Sequence, residues 1–244
     1  MPKTVVISQS MYFPWVGLLE QIRIADIFVH YDDVQYTRGF FNRVQVKTSG
    51  GARWLTVPLR HVHRGKNIDE VLIDERTDWR KKHRDILRQS YLKAPYLSEM
   101  LELVDEVFSS RPETLADLSR ESILSLSRYF GLSENTEFLR SSDLNIAGSS
   151  SQRLHDICLA VGADAYLTGH GALKYLEHAI FERSGISVEY MDYSMKEYPQ
   201  LYYEFSQFVT GLDLVANCGE AGAQFICSGS VEWKEFVDKP SLAT

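Results

Sequence analysis

The chain opens on a short apolar run, Val5, Val6 and Ile7, that breaks into a turn carrying Gln9, Tyr12, Pro14, Trp15 and Gly17. Helical spacing follows over 18–25, then a second apolar run over 27–31 that ends in Asp32 and Asp33. Strand, bend, helix and strand in so short a span form one βαβ unit, and repeated units of this kind build a mostly parallel sheet flanked by helices. In such open sheets ligands bind just beyond the carboxyl ends of the strands, near the point where the strand order reverses. The opening therefore predicts a site at the turn after the first strand and at the end of the second.

The rest of the chain extends this pattern after an interruption. Residues 41–48 alternate apolar and polar side chains, 49–51 give a turn, and 53–59 form a second extended run, which together predict a hairpin. A further short strand is expected over 68–73. Asp78 can accept the free amides of a helix over 79–90, the segment 91–96 breaks it, and helical spacing returns over 97–108 and 114–130, with Gly131 as C-terminal cap. A second alternation then predicts strands over 136–140, 165–168 and 187–191 and helices over 152–161 and 172–183. The tail from 198 is aromatic, with a last helix over 231–237. The fold class read from this order is α/β, a mostly parallel Rossmann-like sheet flanked by helices. Residues 1–244 are read as a single α/β domain, with 41–130 as a hairpin plus helical insertion between the two sheet halves.

Composition narrows the functional classes. A hydrophobic fraction of 44% and a charged fraction of 24% are ordinary for a soluble globular protein. No apolar run approaches the roughly 18 residues that span a bilayer. The opening lacks the long apolar segment of a signal peptide, so the expected location is cytoplasmic. Cys158, Cys218 and Cys227 form no CxxC pair, which indicates neither a disulfide framework nor a zinc site. A net charge of −7 argues against a general nucleic-acid binder, which needs surplus Lys and Arg. One basic run, residues 60–67 with Arg60, His61, His63, Arg64 and Lys66, stands against that average. It reads either as a solvated loop or as a loop that meets phosphate or another anion.

Several segments together resemble the WbqC-like protein family, whose members are often encoded with bacterial surface-polysaccharide genes. They include Gln9, Tyr12, Pro14, Trp15 and Gly17; Asp32 and Asp33; Asn42 and Arg43; Trp54 to Pro58; Trp79 with Lys82 and His83; and Tyr91. They continue through Ser141 to Leu144, Tyr175, Tyr198 to Gln200, Asp213 and Asn217. Ser10 departs from the pattern, since a proline usually follows the glutamine. The resemblance implies a role in making O-antigen or a related glycan and leaves the reaction type open.

The candidate site residues follow from their places on the elements. Gln9, Tyr12 and Trp15 sit in the first turn, which loosely echoes the nucleotide loop of HIGH-type nucleotidyltransferases but lacks their His-x-Gly-His. Free amides at the following helix N-terminus can hold a phosphate or carboxylate. Asp32 or Asp33 can bind a sugar hydroxyl or accept a proton; alternation puts only one of them toward a cleft. Asn42, Arg43 and Lys47 lie on the hairpin, where Arg43 and Lys47 share a face suited to an anion. His83 lies four residues after Trp79 on one helix side and can act as a general base. Ser149 leads into one helix, and Gly169 with His170 turns into another, followed by Lys174 and Tyr175. The glycines allow close approach of a ligand, and His170 is a second base candidate.

The leading functional expectation is a transferase that forms an amide by moving an acyl or aminoacyl group onto a nucleotide-linked amino sugar. His83, His170 and Asp32 are its catalytic candidates, and the remaining residues bind substrate. The partners are then small molecules, the nucleotide-linked amino sugar and an activated acyl donor; no cofactor and no metal is assigned. The alternatives are a nucleotidyltransferase or adenylating ligase, and a non-catalytic sugar-nucleotide-binding protein. These readings expect the loops near Tyr12, Asp32, Arg43 and His170 to converge on a single wet hollow.

Overall fold

The computed structural model describes residues 2–60, 62–63, 65–202 and 204–238. Its centre is a six-stranded sheet. The strands are β1 (Thr4–Ser8), β2 (Ile27–His30), β7 (Glu137–Arg140), β8 (Ala165–Thr168), β9 (Ser187–Asp192) and β10 (Gly229–Glu232). Across the sheet they run β7, β2, β1, β8, β9, β10; all pairs are parallel except β9 with β10. The expected mostly parallel α/β architecture is the one observed.

Alternation of side chains explains why helices cover both faces. Val6, Phe28, Leu167 and Met191 enter one core, whereas Val5, Ile7, Ile27, Val29, Tyr166, Val188 and Tyr190 enter the other. The first face is covered by α1 (Val16–Ile24), with α7 (Gly211–Cys218), α3 (Leu97–Ser109) and α4 (Leu115–Tyr129) packed in the same core, α7 against α1 and α3. The second is covered by α5 (Ser150–Ala160), α6 (His178–Arg183) and α8 (Trp233–Asp238). Each large apolar side chain so buried contributes roughly 1.5–3 kcal/mol.

Between β2 and β7 lie a hairpin of β3 (Arg43–Thr48) and β4 (Gly51–Thr56), a small pair β5 (Leu59–Arg60) and β6 (Leu72–Ile73), and α2 (Trp79–Ser90), followed by α3 and α4. None of their strands joins the central sheet. Asp78 caps α2 by accepting from Lys81 N, and Gly131 takes the left-handed conformation (φ 69°) after α4.

Four elements differ from the sequence reading. Residues 68–73 are not one strand, because Asn67 and Glu70 form a reciprocal cap around a 3₁₀ turn, Ile68–Glu70, before β6. The helix expected over 172–183 is split. Ser151 Oγ donates to the Tyr175 carbonyl and accepts from the Glu177 amide, which takes that backbone out of a helix. The segment expected as a helix over 231–237 begins as the edge strand β10. Helix α7 had no strong polar face to announce it and is capped by Thr210, which accepts from Leu212 N.

Candidate functional site

Strand order reverses between β1, which continues to β2 on one side, and β8, which lies on the other. This is the switch point where ligands bind in parallel sheets. The register pairs Val6 with Leu167, so the chain leaves β1 at Gln9 level with Gly169 and His170 leaving β8. Tyr193 leaves β9 beside them, where a Cβ built on Gly169 would lie 3.4 Å from its hydroxyl.

A wall of aromatic rings adjoins this edge. Trp15 packs against Tyr193 (ring centroids 5.3 Å apart) and Phe208 (5.7 Å), and His170 packs against Tyr193 (5.1 Å) and Phe236 (4.8 Å). Trp15, Tyr193 and His170 are half-buried, and Phe208 is 59% exposed. The Trp15 indole lies across the first turn of α1, where a Cβ on Gly17 would sit only 2.4 Å from the ring. That helix start is therefore covered by an aromatic ring, and the anion expected there meets indole.

Proton positions in this cluster follow from the partners. His170 Nε2 is 2.8 Å from the Met191 carbonyl oxygen, which can only accept. The proton therefore sits on Nε2, and Nδ1 carries the lone pair. The Gln21 amide donates to the Tyr193 hydroxyl oxygen at 2.8 Å, which leaves the hydroxyl hydrogen free to donate onward. Burial pushes the Tyr193 pKa up to about 12, so the phenol stays neutral.

The other predicted residues are distributed differently. Tyr12 is 1% exposed, and its hydroxyl meets His83 Nδ1 at 3.1 Å within a cluster that includes Trp79. His83 also bonds the Thr56 backbone, and burial lowers its pKa to about 4. These two contacts tie α2 to the first turn and the hairpin. Asp32 is 0% exposed and receives Arg120 Nε (2.8 Å), Ser10 N (2.8 Å) and Ser10 Oγ (2.8 Å). Burial raises its pKa against the pull of these donors. Ser10 thus uses the amide hydrogen that a proline would lack to hold this carboxylate. With its own hydroxyl hydrogen on Asp32, Ser10 Oγ accepts from His30 Nδ1 at 2.9 Å. Burial and the nearby Arg120 and Arg140 charges depress the His30 pKa to about 3.

Asp33 bonds Arg153 and Ser141 and ties the ends of β2 and β7 to α5. Asn42 is held by Tyr36 and the Val57 carbonyl, and Lys47 is buried with its ammonium on Gln200 Oε1 (2.9 Å) and the Tyr202 and Glu204 carbonyls. Arg43 is exposed on the hairpin and stacks over Trp54 at 4.5 Å. Ser149, Lys174 and Tyr175 are exposed, with Ser149 making no capping bond to α5. His61 and Arg64 of the basic run lie outside the described residues.

The expected single wet hollow is therefore corrected. Tyr12 and Asp32 lie in the interior, Arg43 is on the exposed hairpin, and His170 is at the switch point with Trp15 and Gly169. The first turn is pulled inward because Ser10, Tyr12, Phe13 and Pro14 each bond a different segment: Asp32, Phe41, Ser122 and Gly211. Sequence reading missed Tyr193, Gln21 and Phe208. Tyr193 had a usable signal, as the residue that leaves a predicted parallel strand at its carboxyl end. Among the described residues no group of three or more His, Cys, Asp or Glu side chains is arranged to hold a metal ion, and no helix is long and apolar enough to cross a membrane.

The sequence model of the WbqC-like protein family matches residues 9–225. The chain belongs to this family. It is 34% identical over 228 residues to the "Uncharacterized protein Rv1507c" of Mycobacterium tuberculosis, covering 92% of this chain and 97% of that protein. No solved structure matches the chain at a significant level. The matched span of the WbqC-like chain takes in Trp15, Gln21, Gly169, His170 and Tyr193 at the switch point, and Asp32 and His83 in the interior.

Proposed function

We propose that this WbqC-like protein binds a nucleotide-linked amino sugar at the β1/β8 edge and acylates its amine, in the making of a bacterial surface polysaccharide. The amine attacks the acyl carbonyl, the new C–N bond forms, and the bond to the donor's leaving group breaks. His170 Nδ1 takes the amine proton, and the Tyr193 hydroxyl donates to the developing oxyanion. The half-exposed wall of Trp15, Tyr193 and Phe208 gives flat apolar faces for a base or sugar ring. The observation that carries this reading is His170: the Met191 carbonyl fixes its proton on Nε2 and leaves Nδ1 basic beside a neutral phenol.

The test is incubation of the protein with UDP- and TDP-linked amino sugars and activated acyl donors, followed by mass spectrometry. A mass gain that falls about 100-fold or more in rate in His170→Ala supports the reading. No gain across a broad panel overturns it. The switch-point location also suits a nucleotide alone, and ATP–pyrophosphate exchange without an acyl acceptor would favour an adenylating enzyme instead. Tight binding without turnover, unaffected by His170→Ala, would make the protein a binding partner.

A further inference from the structure

An open cleft of about 640 Å³ lies away from the switch point, between β6, the first turn of α2 and residues 111–113. Arg60, Arg76, Arg80 and Arg111 line it, together with Trp79. Four guanidinium groups around one cleft are notable in a chain of net charge −7. Arg60 is also the first residue of the basic run that the switch-point reading leaves without a role.

The acidic residues of the cleft are Glu75, Asp78 and Glu113. Two are already used: Glu75 pairs with Arg80, and Asp78 caps α2. Arg76 pairs with Asp74 but remains 87% exposed. Arg60 and Arg111 have no ion pair among the described residues, and both are exposed. In the wall, the Arg80 guanidinium stacks on the Trp79 ring at 4.5 Å. Trp79 is 3% exposed, yet its indole N–H has no acceptor, and Arg80 Nε is likewise unfilled. Buried donors without acceptors are uncommon and each costs free energy until something fills it. Two exposed, unpaired arginines beside the Arg76 and Arg80 guanidiniums, at the start of a 12-residue helix, favour one kind of guest, an acceptor-rich anion.

We infer that this cleft is a second binding site, for a phosphate-bearing anion, with Arg60 and Arg111 as its principal contacts and Glu113 as the group that weakens it. The same chemistry is offered by a free phosphate compound and by a lipid phosphate headgroup. Calorimetric titration with inorganic pyrophosphate, and co-sedimentation with phosphatidylcholine vesicles containing phosphatidic acid, separate the two sources. In the binding arm, Arg60→Gln with Arg111→Gln is expected to weaken affinity at least about tenfold at about 150 mM salt. Glu113→Gln strengthens it, and Arg183→Gln on the exposed end of α6 changes nothing. Thermal melts of each variant confirm folding, and the gain in Glu113→Gln cannot come from misfolding. Pyrophosphate binding alone assigns a soluble ligand, and vesicle binding alone assigns a lipid. Binding of neither probe, or binding indifferent to both arginines and to Glu113, overturns the inference.

Discussion

Gly17→Ala places local and tertiary preferences in opposition. Gly17 is the second residue of α1, where alanine is favoured over glycine by about 1 kcal/mol on helix propensity alone. The new methyl would lie 2.4–2.7 Å from three carbons of the Trp15 ring, far inside contact distance, so the indole must leave its place. Leaving it breaks the ring contacts with Tyr193 and Phe208, each worth about 0.5–1.5 kcal/mol. The loss of about 1–3 kcal/mol exceeds the helix gain, and the variant should be less stable by about 1 kcal/mol. In a Trp15→Ala background nothing opposes the methyl, and the same change should stabilise by up to about 1 kcal/mol. Urea unfolding of the four proteins measures both differences, and their coupling should reach about 2 kcal/mol. Equal effects of the alanine in both backgrounds would refute the placement of the indole over the helix start.

Further expectations rest on the buried polar groups. Ser10→Pro removes two donors from the buried Asp32 carboxylate and should cost about 3 kcal/mol in urea unfolding. Asp32→Asn with Arg120 intact leaves the buried guanidinium only its Asp117 partner at 3.2 Å and should cost about 3 kcal/mol, whereas Arg120 and Asp32 replaced together by apolar residues should cost less. His83, lowered from 6.5 to about 4, is neutral in the folded protein where the unfolded chain takes a proton. Its stability contribution is complete above pH 6.5 and is lost as pH falls toward 4, about 3 kcal/mol in all. Stability curves of His83→Gln should be flatter across that window. On the proposed reading, in which the Tyr193 hydroxyl donates to the oxyanion, Tyr193→Phe should lower kcat with little change in KM.

The sheet was legible because parallel strands announce themselves as short apolar runs between turn signals, as at Val5 to Ile7 and at Ala165 to Thr168. The hairpin and the capped helix at Asp78 were legible for equally local reasons. Long-range pairings were not. Nothing near Tyr12 indicates that His83 closes on its hydroxyl, and nothing near Asp32 indicates that Arg120 reaches it from 88 positions away. Polar residues that look like a site on a strand end can equally be the buried knots that hold the strand ends together. The switch-point rule did place His170 and Gly169 at a sheet edge, but their neighbour Tyr193 became visible only once β9 was seen to end beside them.

A crystal structure of the protein with a nucleotide-linked amino sugar bears on the site most directly. The expected result is a ring stacked on Trp15 or Phe208 with the sugar amine within hydrogen-bond reach of His170 Nδ1. A nucleotide sugar seated only in the arginine-lined cleft beside α2, with the β1/β8 edge empty, would contradict it.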